Sequence, residues 1–138
     1  MHKVFVDTNI IFEHALKREH YRECVQLFKL AEDGKIECWC SSAGYYVFSY
    51  VLRKQFTVTQ TRVKLRGYLS FLDILPCSTQ NIQAAIISPF KDLEDAFQYY
   101  TALNRVDSFV TLNKKDFEKY SLPELEVFTP AEFMESVK

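Results

Sequence analysis

The chain has 138 residues, of which 48% are hydrophobic and 25% are charged, and it contains only three Gly and four Pro. This composition excludes a disordered or fibrous protein, and the length suits a single domain, residues 1–138, with a sizeable hydrophobic core. The net charge of −1 excludes a global positive field, so any binding of nucleic acid must use a local basic patch.

Targeting signals and cysteine motifs are both absent from the sequence. No apolar run approaches the length of a membrane span, and the N-terminus lacks the signal-peptide pattern, so we expect a cytoplasmic protein without membrane contacts. The four cysteines, Cys24, Cys38, Cys40 and Cys77, form no C-x-x-C motif. All three His fall within the first twenty residues, which argues against a zinc site and favours buried free thiols.

The first predicted element is a short apolar run that ends in a carboxylate. Residues 4–6 predict a strand that is buried on both faces of a parallel sheet, with Asp7 at or just past its carboxyl end. Ligands bind at that end of an open α/β sheet. A carboxylate there is costly unless it is hydrogen-bonded, paired or bound to a metal. Alternatively, Asp7 or Thr8 only caps the helix that follows.

Helices and strands alternate along the rest of the chain. After a polar segment at residues 13–20, with His14 and His20 at the surface, helical spacing predicts a helix over 21–33 that Gly34 ends. The later predictions are a strand at 35–40, helices at 45–54 and 57–72, a strand at 73–75, helices at 78–87 and 92–104, strands at 108–112 and 126–128, and a helix from Thr129. In the helix at 57–72 we expect Val63, Leu65, Leu69 and Leu72 to face inward. The alternation predicts a parallel sheet between helical layers, with right-handed crossovers.

Acidic residues cluster at three places: Asp7, the group Asp92, Glu94 and Asp95, and the pair Asp107 and Asp116. The helix dipole accounts for one or two acids in the first turn of a helix, but not for three in four positions. If Asp92 is the cap, Asp95 can face Asp7 across a cleft. Carboxylates that converge without bases among them repel one another unless a cation holds them, and Mg²⁺ or Mn²⁺ is the natural partner.

The fourth predicted strand brings further polar groups to the same edge. Thr111 and Asn113 stand at its carboxyl end, and Asp116 follows. These side chains come within reach of Asp7 and Asp95 if the first and fourth strands are neighbours in the sheet, which the spacing alone does not establish.

The chain resembles a PIN domain, in particular the VapC-like toxin branch of bacterial toxin–antitoxin systems, in four segments: D-T-N-I-I, D-L-E-D-A-F-Q-Y-Y-T-A-L, V-D-S-F-V-T-L-N-K-K-D-F and V-F-T-P-A-E-F. The similarity covers almost the whole length, in the right order and spacing. The combination of E-D-A-x-Q-Y-x-x-A with T-x-N-x-x-D-F is fairly specific, although each piece alone is weak.

The resemblance implies a three-layer α/β/α sandwich around a central parallel sheet of about five strands, and Mg²⁺-dependent cleavage of RNA by metal-assisted hydrolysis. It implies a metal site of Asp7, Asp95 and Asp116, with Asn113 in the catalytic set. Four neighbours would support this site: Asn9, Thr111, Glu94 and Asp107. Lys114 and Lys115 would hold the RNA backbone. The resemblance also implies a small antitoxin partner and a homodimer.

One departure from the family pattern concerns the helix after the second strand. Family members usually carry a Glu there, whereas S-S-A-G-Y-Y-V-F-S-Y-V-L has no acid, and the position falls near Tyr46 or Val47. The site therefore loses a charge, for which Glu94, Asp92 or Asp107 can compensate.

Two alternatives remain. The first is a catalytically impaired PIN domain that binds RNA or an antitoxin, which the missing Glu favours. The second is an aspartyl-phosphate protein, against which stands the lack of a second acid in D-T-N.

Overall fold

The computed structural model describes residues 1–138, in which five strands and eight helices alternate. In chain order they are β1 (Lys3–Val6), α1 (Thr8–Ala15), α2 (Tyr21–Glu32), β2 (Glu37–Ser41), α3 (Ser42–Arg53), α4 (Val58–Tyr68), β3 (Leu72–Leu75), α5 (Thr79–Ile87), α6 (Leu93–Ala102), β4 (Ser108–Val110), α7 (Lys114–Glu118), β5 (Glu126–Phe128) and α8 (Pro130–Ser136). None of the helices has the length and apolar character needed to cross a bilayer.

The sheet is entirely parallel and has the strand order β3-β2-β1-β4-β5. β1 lies at its centre, where Val4 pairs with Ser108 and Val6 pairs with Val110 of β4. The first and fourth strands are therefore neighbours, and their carboxyl ends reach the same edge of the sheet. This adjacency brings the residue after β1 close to the residue after β4.

Two hydrophobic cores cover the two faces of the sheet. Val4 and Val6 of β1 pack in one core with residues from α1, α2, α3, α4 and α8. Phe5, which points to the opposite face, packs in a second core with residues from α5, α6 and α7. This alternation along a doubly covered strand confirms the prediction of a three-layer α/β/α fold with five parallel strands.

Local structure differs from the predictions in α1 and at its end. α1 extends to Ala15, into the segment predicted to be polar and irregular. His14 is half-buried rather than at the surface: its Nδ1 lies 2.6 Å from the Tyr68 hydroxyl, and burial lowers its pKa.

The exposed face of α4 and the end of β4 also differ from the predictions. Val63 and Leu69 are 68% and 52% exposed, because the inward face of α4 carries Thr61, Leu65 and Tyr68 at helical spacing. Beyond β4, the acid Asp116 lies in a short helix, α7, that the sequence analysis did not predict.

Candidate active site

Asp7 lies at the carboxyl end of the central strand and is almost fully buried. Only 4% of its surface is exposed, and its backbone N–H donates to the Val110 carbonyl of β4 at 2.9 Å. Its Oδ1 also accepts a long hydrogen bond of 3.4 Å from the Asn9 backbone N–H at the start of α1. Asp7 is thus the N-cap of α1, as the simpler alternative held, and its carboxylate also has partners that a cap does not need.

Both carboxylate oxygens of Asp7 accept hydrogen bonds from buried side chains. Thr111 Oγ1 donates to Oδ2 at 2.8 Å, and Gln98 Nε2 donates to Oδ1 at 3.0 Å. Thr111 directly follows β4, and its hydroxyl also accepts from the Asn113 backbone N–H at 3.0 Å. The predicted proximity of Thr111 to Asp7 is confirmed, and the two donors fix the orientation of the carboxylate.

Gln98 is a site residue that the sequence analysis did not select. Its Oε1 accepts from both the backbone N–H and the hydroxyl of Thr8, at 3.0 and 3.2 Å, so Nε2 must face Asp7. The signal was present in the sequence, because Gln98 stands three residues after Asp95, on the same face of α6. A polar residue in an amphipathic helix usually faces solvent, so the sequence pattern alone does not mark Gln98 as buried.

Asp95 is the second carboxylate at this edge. Asp92 is the N-cap of α6, and its side chain accepts from the Asp95 backbone N–H at 3.0 Å, as expected. Burial, and after it the negative charges of Asp7, Asp92 and Asp116, raise the pKa of Asp95 to about 7. Asp95 therefore lies in the negative field of Asp7 across the cleft.

Asp7 is also held in an environment that disfavours its charged form. Burial raises its pKa above the ordinary value, and this effect exceeds the opposing effect of the hydrogen bonds from Thr111 and Gln98. The exposed carboxylate of Glu94 raises the pKa further. The acids at this edge thus favour one another's neutral forms, and a bound cation would relieve their repulsion.

The third group of predicted ligands is more exposed. Asn113 is the N-cap residue of α7, and its side chain makes no capping hydrogen bond. Asp116, in the first turn of α7, borders a shallow depression with Asp92, Asp95 and Lys119. Both residues are exposed at the same edge as Asp95.

Asp107 does not join this site, and its prediction as a supporting residue or a compensating acid is wrong. It precedes β4, and its Oδ2 accepts a hydrogen bond of 2.8 Å from the Lys3 backbone N–H at the start of β1. In a parallel sheet the starts of β1 and β4 lie at the edge opposite their ends. Asp107 and Asp116 are close in the chain, but the whole of β4 separates them.

Comparison with known proteins identifies the family to which this fold belongs. A family model described as PIN domain matches residues 3–115. The chain belongs to the PIN-domain family. The "Ribonuclease VapC1" of Aquifex aeolicus (strain VF5) is 31% identical over 143 aligned positions, which cover 96% of this chain and 94% of the relative. The resemblance to VapC-like PIN domains is therefore confirmed.

Solved structures with this fold come from toxin–antitoxin complexes. A complex from Klebsiella pneumoniae contains a chain with 26% identity and a TM-score of 0.67, with 92% of this chain and 97% of that chain covered. VapBC2 from Rickettsia felis, bound to a DNA fragment from its promoter, gives 19% identity and a TM-score of 0.72, covering 92% and 98%. At that identity the second likeness supports the fold alone.

In this PIN domain, one of the two positions near which the missing Glu falls lines a pocket. Val47 lines a small pocket together with Gly44 of α3 and with Glu94 and Gln98 of α6. Tyr46, the other candidate for that position, is 82% exposed and does not line the pocket. Of the acids proposed to compensate, Glu94 is the one that lines this pocket.

The two lysines predicted to hold RNA differ in their contacts. Lys114 Nζ donates to both carboxylate oxygens of Glu132 at 3.0 Å, and the pair raises the pKa of Lys114. Lys115 is exposed and makes no ion pair. The charge of Lys114 is therefore compensated by Glu132 of α8, whereas the charge of Lys115 faces solvent.

The donor set at the edge fits a hard cation that keeps most of its water. No three His, Cys, Asp or Glu side chains in the chain converge as a ready-made metal cage. However, Asn9 Oδ1, two residues from Asp7, is buried without any hydrogen-bond donor. Carboxylates with an amide oxygen are the ligands that Mg²⁺ prefers, and it commonly uses only one or two carboxylates with several waters. The residues present therefore fit Mg²⁺ and exclude a closed structural zinc site.

Proposed function

We propose that this PIN domain is a Mg²⁺-dependent endoribonuclease and the toxin of a toxin–antitoxin pair. The observation that carries the proposal is the buried carboxylate of Asp7, which is held by Gln98 and Thr111 within the negative field of Asp95. Such an arrangement is costly for folding alone and favours a role in binding a cation. The likeness to the Aquifex aeolicus ribonuclease over nearly the whole chain supports the substrate class.

Asp7 and Asp95 would hold the cation. Further oxygen donors at the same edge would come from Asn113, Asp116 and the side-chain oxygen of Asn9. When bound, Mg²⁺ supplies Lewis-acid polarisation of a phosphodiester and lowers the pKa of bound water. The chain itself supplies the position of the carboxylates. Gln98 and Thr111 fix both oxygens of Asp7, so its rotamer is set before any substrate arrives.

No Ser, Cys or His side chain is needed as a nucleophile in this proposal. Cys38 and Cys40 are buried, and burial raises the pKa of each thiol to about 12, which keeps them protonated. Two of the three His lie away from the carboxylates: His14 contacts Tyr68, and His20 contacts Glu23. This chemistry favours metal-assisted hydrolysis over covalent catalysis.

An antitoxin protein and a homodimer complete the proposal. Support for the antitoxin is the fold shared with chains from toxin–antitoxin complexes, of which the Klebsiella pneumoniae chain is 26% identical. The homodimer is proposed from the family resemblance alone. Sedimentation of the purified chain, alone and after co-expression with a candidate antitoxin, tests both partners. A monomer that forms no complex would contradict this part of the proposal.

A cleavage assay on total RNA tests the proposed activity. We expect the purified, folded chain to cut RNA with Mg²⁺ or Mn²⁺, and we expect EDTA to stop the reaction. Asp7→Asn should reduce the rate by at least about 100-fold, because the carboxylate is removed from the site. Two results would contradict the proposal: folded protein that fails to cut RNA with either metal ion, or protein that cuts equally well in EDTA.

A further inference from the structure

The longest stretch of the chain without an acid covers α3 and α4. All 18 acidic residues lie outside the segment between Glu37 and Asp73, which contains five basic residues: Arg53, Lys54, Arg62, Lys64 and Arg66. None of the five makes an ion pair. This part of the surface therefore carries uncompensated positive charge, although the whole chain has a net charge of −1.

Two exposed tyrosine rings lie beside these charges. Tyr46 and Tyr50 of α3 are 82% and 66% exposed, and Lys54 Nζ lies 4.9 Å from the centre of the Tyr50 ring. Both tyrosines line an open groove between α3 and α4, together with Arg53 and Arg62. We call it the α3–α4 groove. Exposed rings among unpaired cations are the pattern of surfaces that bind single-stranded nucleic acid.

The α3–α4 groove lies next to a pocket that borders the candidate active site. This residue lines the groove and also the pocket beside Thr8, Glu94 and Gln98. The acids of the site repel a phosphate backbone, so a substrate strand needs attractive contacts outside them. The groove offers such contacts next to the pocket that Glu94 and Gln98 line, with Val47 common to both.

We propose that the α3–α4 groove binds single-stranded RNA, with bases stacked on Tyr46 and Tyr50 and phosphates contacted by Arg53 and Arg62. The choice of RNA as the polyanion rests on the proposed function. A second copy of the chain is a poor occupant, because a two-fold contact at the groove would bring Arg53 and Arg62 against the same cations of the other copy. An acidic peptide would match the charge, but it would use neither the stacking faces nor the path to the carboxylates.

Fluorescence anisotropy of a labelled oligouridylate of about 12 nucleotides, in EDTA, measures this binding without any cleavage. We expect Tyr46→Ala and Tyr50→Ala each to weaken binding by about tenfold, whereas Tyr46→Phe keeps the ring and the affinity. The high exposure of both rings means that their removal should leave the fold intact.

The salt dependence of binding separates phosphate contacts from a general loss of structure. The double variant Arg53→Gln with Arg62→Gln should reduce the slope of log Kd against log salt by about 1.4, because two phosphate contacts are lost. The matched control is Arg18→Gln with Arg22→Gln, which removes two exposed arginines that do not line the groove and should leave the slope unchanged. Equal slopes in both double variants would overturn the proposal.

Two further outcomes distinguish this proposal from its alternatives. A polyglutamate peptide of matched charge that displaces the oligouridylate at equal concentration would overturn it in favour of a protein partner. Sedimentation in which the Tyr50→Ala variant loses a dimer that the wild-type chain forms would overturn it in favour of a second copy.

The cleavage assay keeps this proposal separate from the proposed function. If the chain cuts RNA in Mg²⁺ but the groove variants bind normally, the groove proposal fails and the ribonuclease stands. If the chain cuts no RNA but binds the oligouridylate through Tyr46 and Tyr50, the ribonuclease fails and the groove proposal stands.

Discussion

Gln98 Nε2 donates a hydrogen bond of 3.0 Å to Asp7 Oδ1, across 91 positions of sequence. The other end of the same amide accepts from the backbone N–H and the hydroxyl of Thr8. Rotating the amide would cost all three hydrogen bonds, so α6 holds the end of β1 and the start of α1 in one arrangement. Gln98 acts on the site through Asp7 and is therefore a positioning residue.

Replacement of Gln98 by Met should destabilise the fold and impair the site. The variant leaves the Thr8 donors without an acceptor and Asp7 Oδ1 without its side-chain donor, at a cost of about 1–3 kcal/mol in the free energy of unfolding. In the cleavage assay kcat should fall more than KM changes, because the carboxylate loses its fixed orientation. Urea unfolding measures the first effect. Gln83→Met, at an exposed position of α5, is the control, and equal losses in both variants would contradict the role of Gln98.

Asp95→Asn should stabilise the protein at alkaline pH. The pKa of about 7 in the folded chain lies above the ordinary value of 3.8, so the ionised carboxylate weakens the fold, fully above pH 7 and not at all below pH 3.8. Since the carboxylate is half-exposed, solvent screening limits the gain to about 1–2 kcal/mol at pH 8. Thermal unfolding of the wild-type chain and of Asp95→Asn from pH 4 to pH 8 checks this prediction. A stability gain of the variant that grows as the pH falls would contradict it.

Two glycines on neighbouring helices form a matched pair for testing how closely α3 approaches the site. A Cβ at Gly44 would overlap Thr8 Oγ1 and lie 2.9 Å from Ser41 Oγ, so Gly44→Ala should displace Thr8 from Gln98 and cost about 1–3 kcal/mol. A Cβ at Gly67 of α4 meets nothing within 4 Å, so Gly67→Ala should stabilise by up to about 1 kcal/mol. Denaturant unfolding measures both. The close packing of α3 on α1 would be contradicted if Gly44→Ala were neutral.

Val47→Glu should place a carboxylate in the pocket that Val47 lines with Glu94 and Gln98. The new carboxylate would face Glu94, so we expect a lower melting temperature in EDTA and a larger rise in melting temperature on adding Mg²⁺ than in the wild-type chain. Differential scanning fluorimetry over a Mg²⁺ titration checks both shifts. Tyr46→Glu, with the same new charge outside the pocket, should respond to Mg²⁺ as the wild-type chain does. An equal Mg²⁺ response in the two variants would count against the pocket as part of the cation site.

Adjacency along the sheet made part of the site predictable. Asp7 and Thr111 each follow a buried strand, and the carboxyl ends of neighbouring parallel strands meet at one edge, so their hydrogen bond could be expected once β1 and β4 were assumed to pair. The same rule excludes Asp107 from the site, because Asp107 precedes β4 and therefore lies at the opposite edge of the sheet. The first-turn position of Asp95 followed from Asp92 as the N-cap, which its spacing predicts.

What the sequence did not reveal depends on how the layers pack. Gln98 looks like an ordinary polar helix residue until the contact of α6 with Thr8 is known. The outward position of Val63 follows from which face of α4 packs on the core, and hydrophobicity alone does not determine that face. The groove between Tyr50 and Arg62 also depends on the pairing of two helices, which local periodicity cannot specify.

The central claim, that the carboxyl edge of the sheet carries metal-dependent chemistry, is tested most directly by comparing two single-charge variants in the RNA cleavage assay. Asp95→Asn changes an acid at that edge, and Asp107→Asn changes an acid at the opposite edge. We predict that Asp95→Asn lowers the Mg²⁺-dependent rate by at least about 100-fold, whereas Asp107→Asn cuts RNA at the wild-type rate. Equal rates in the two variants, from folded protein, would contradict the account.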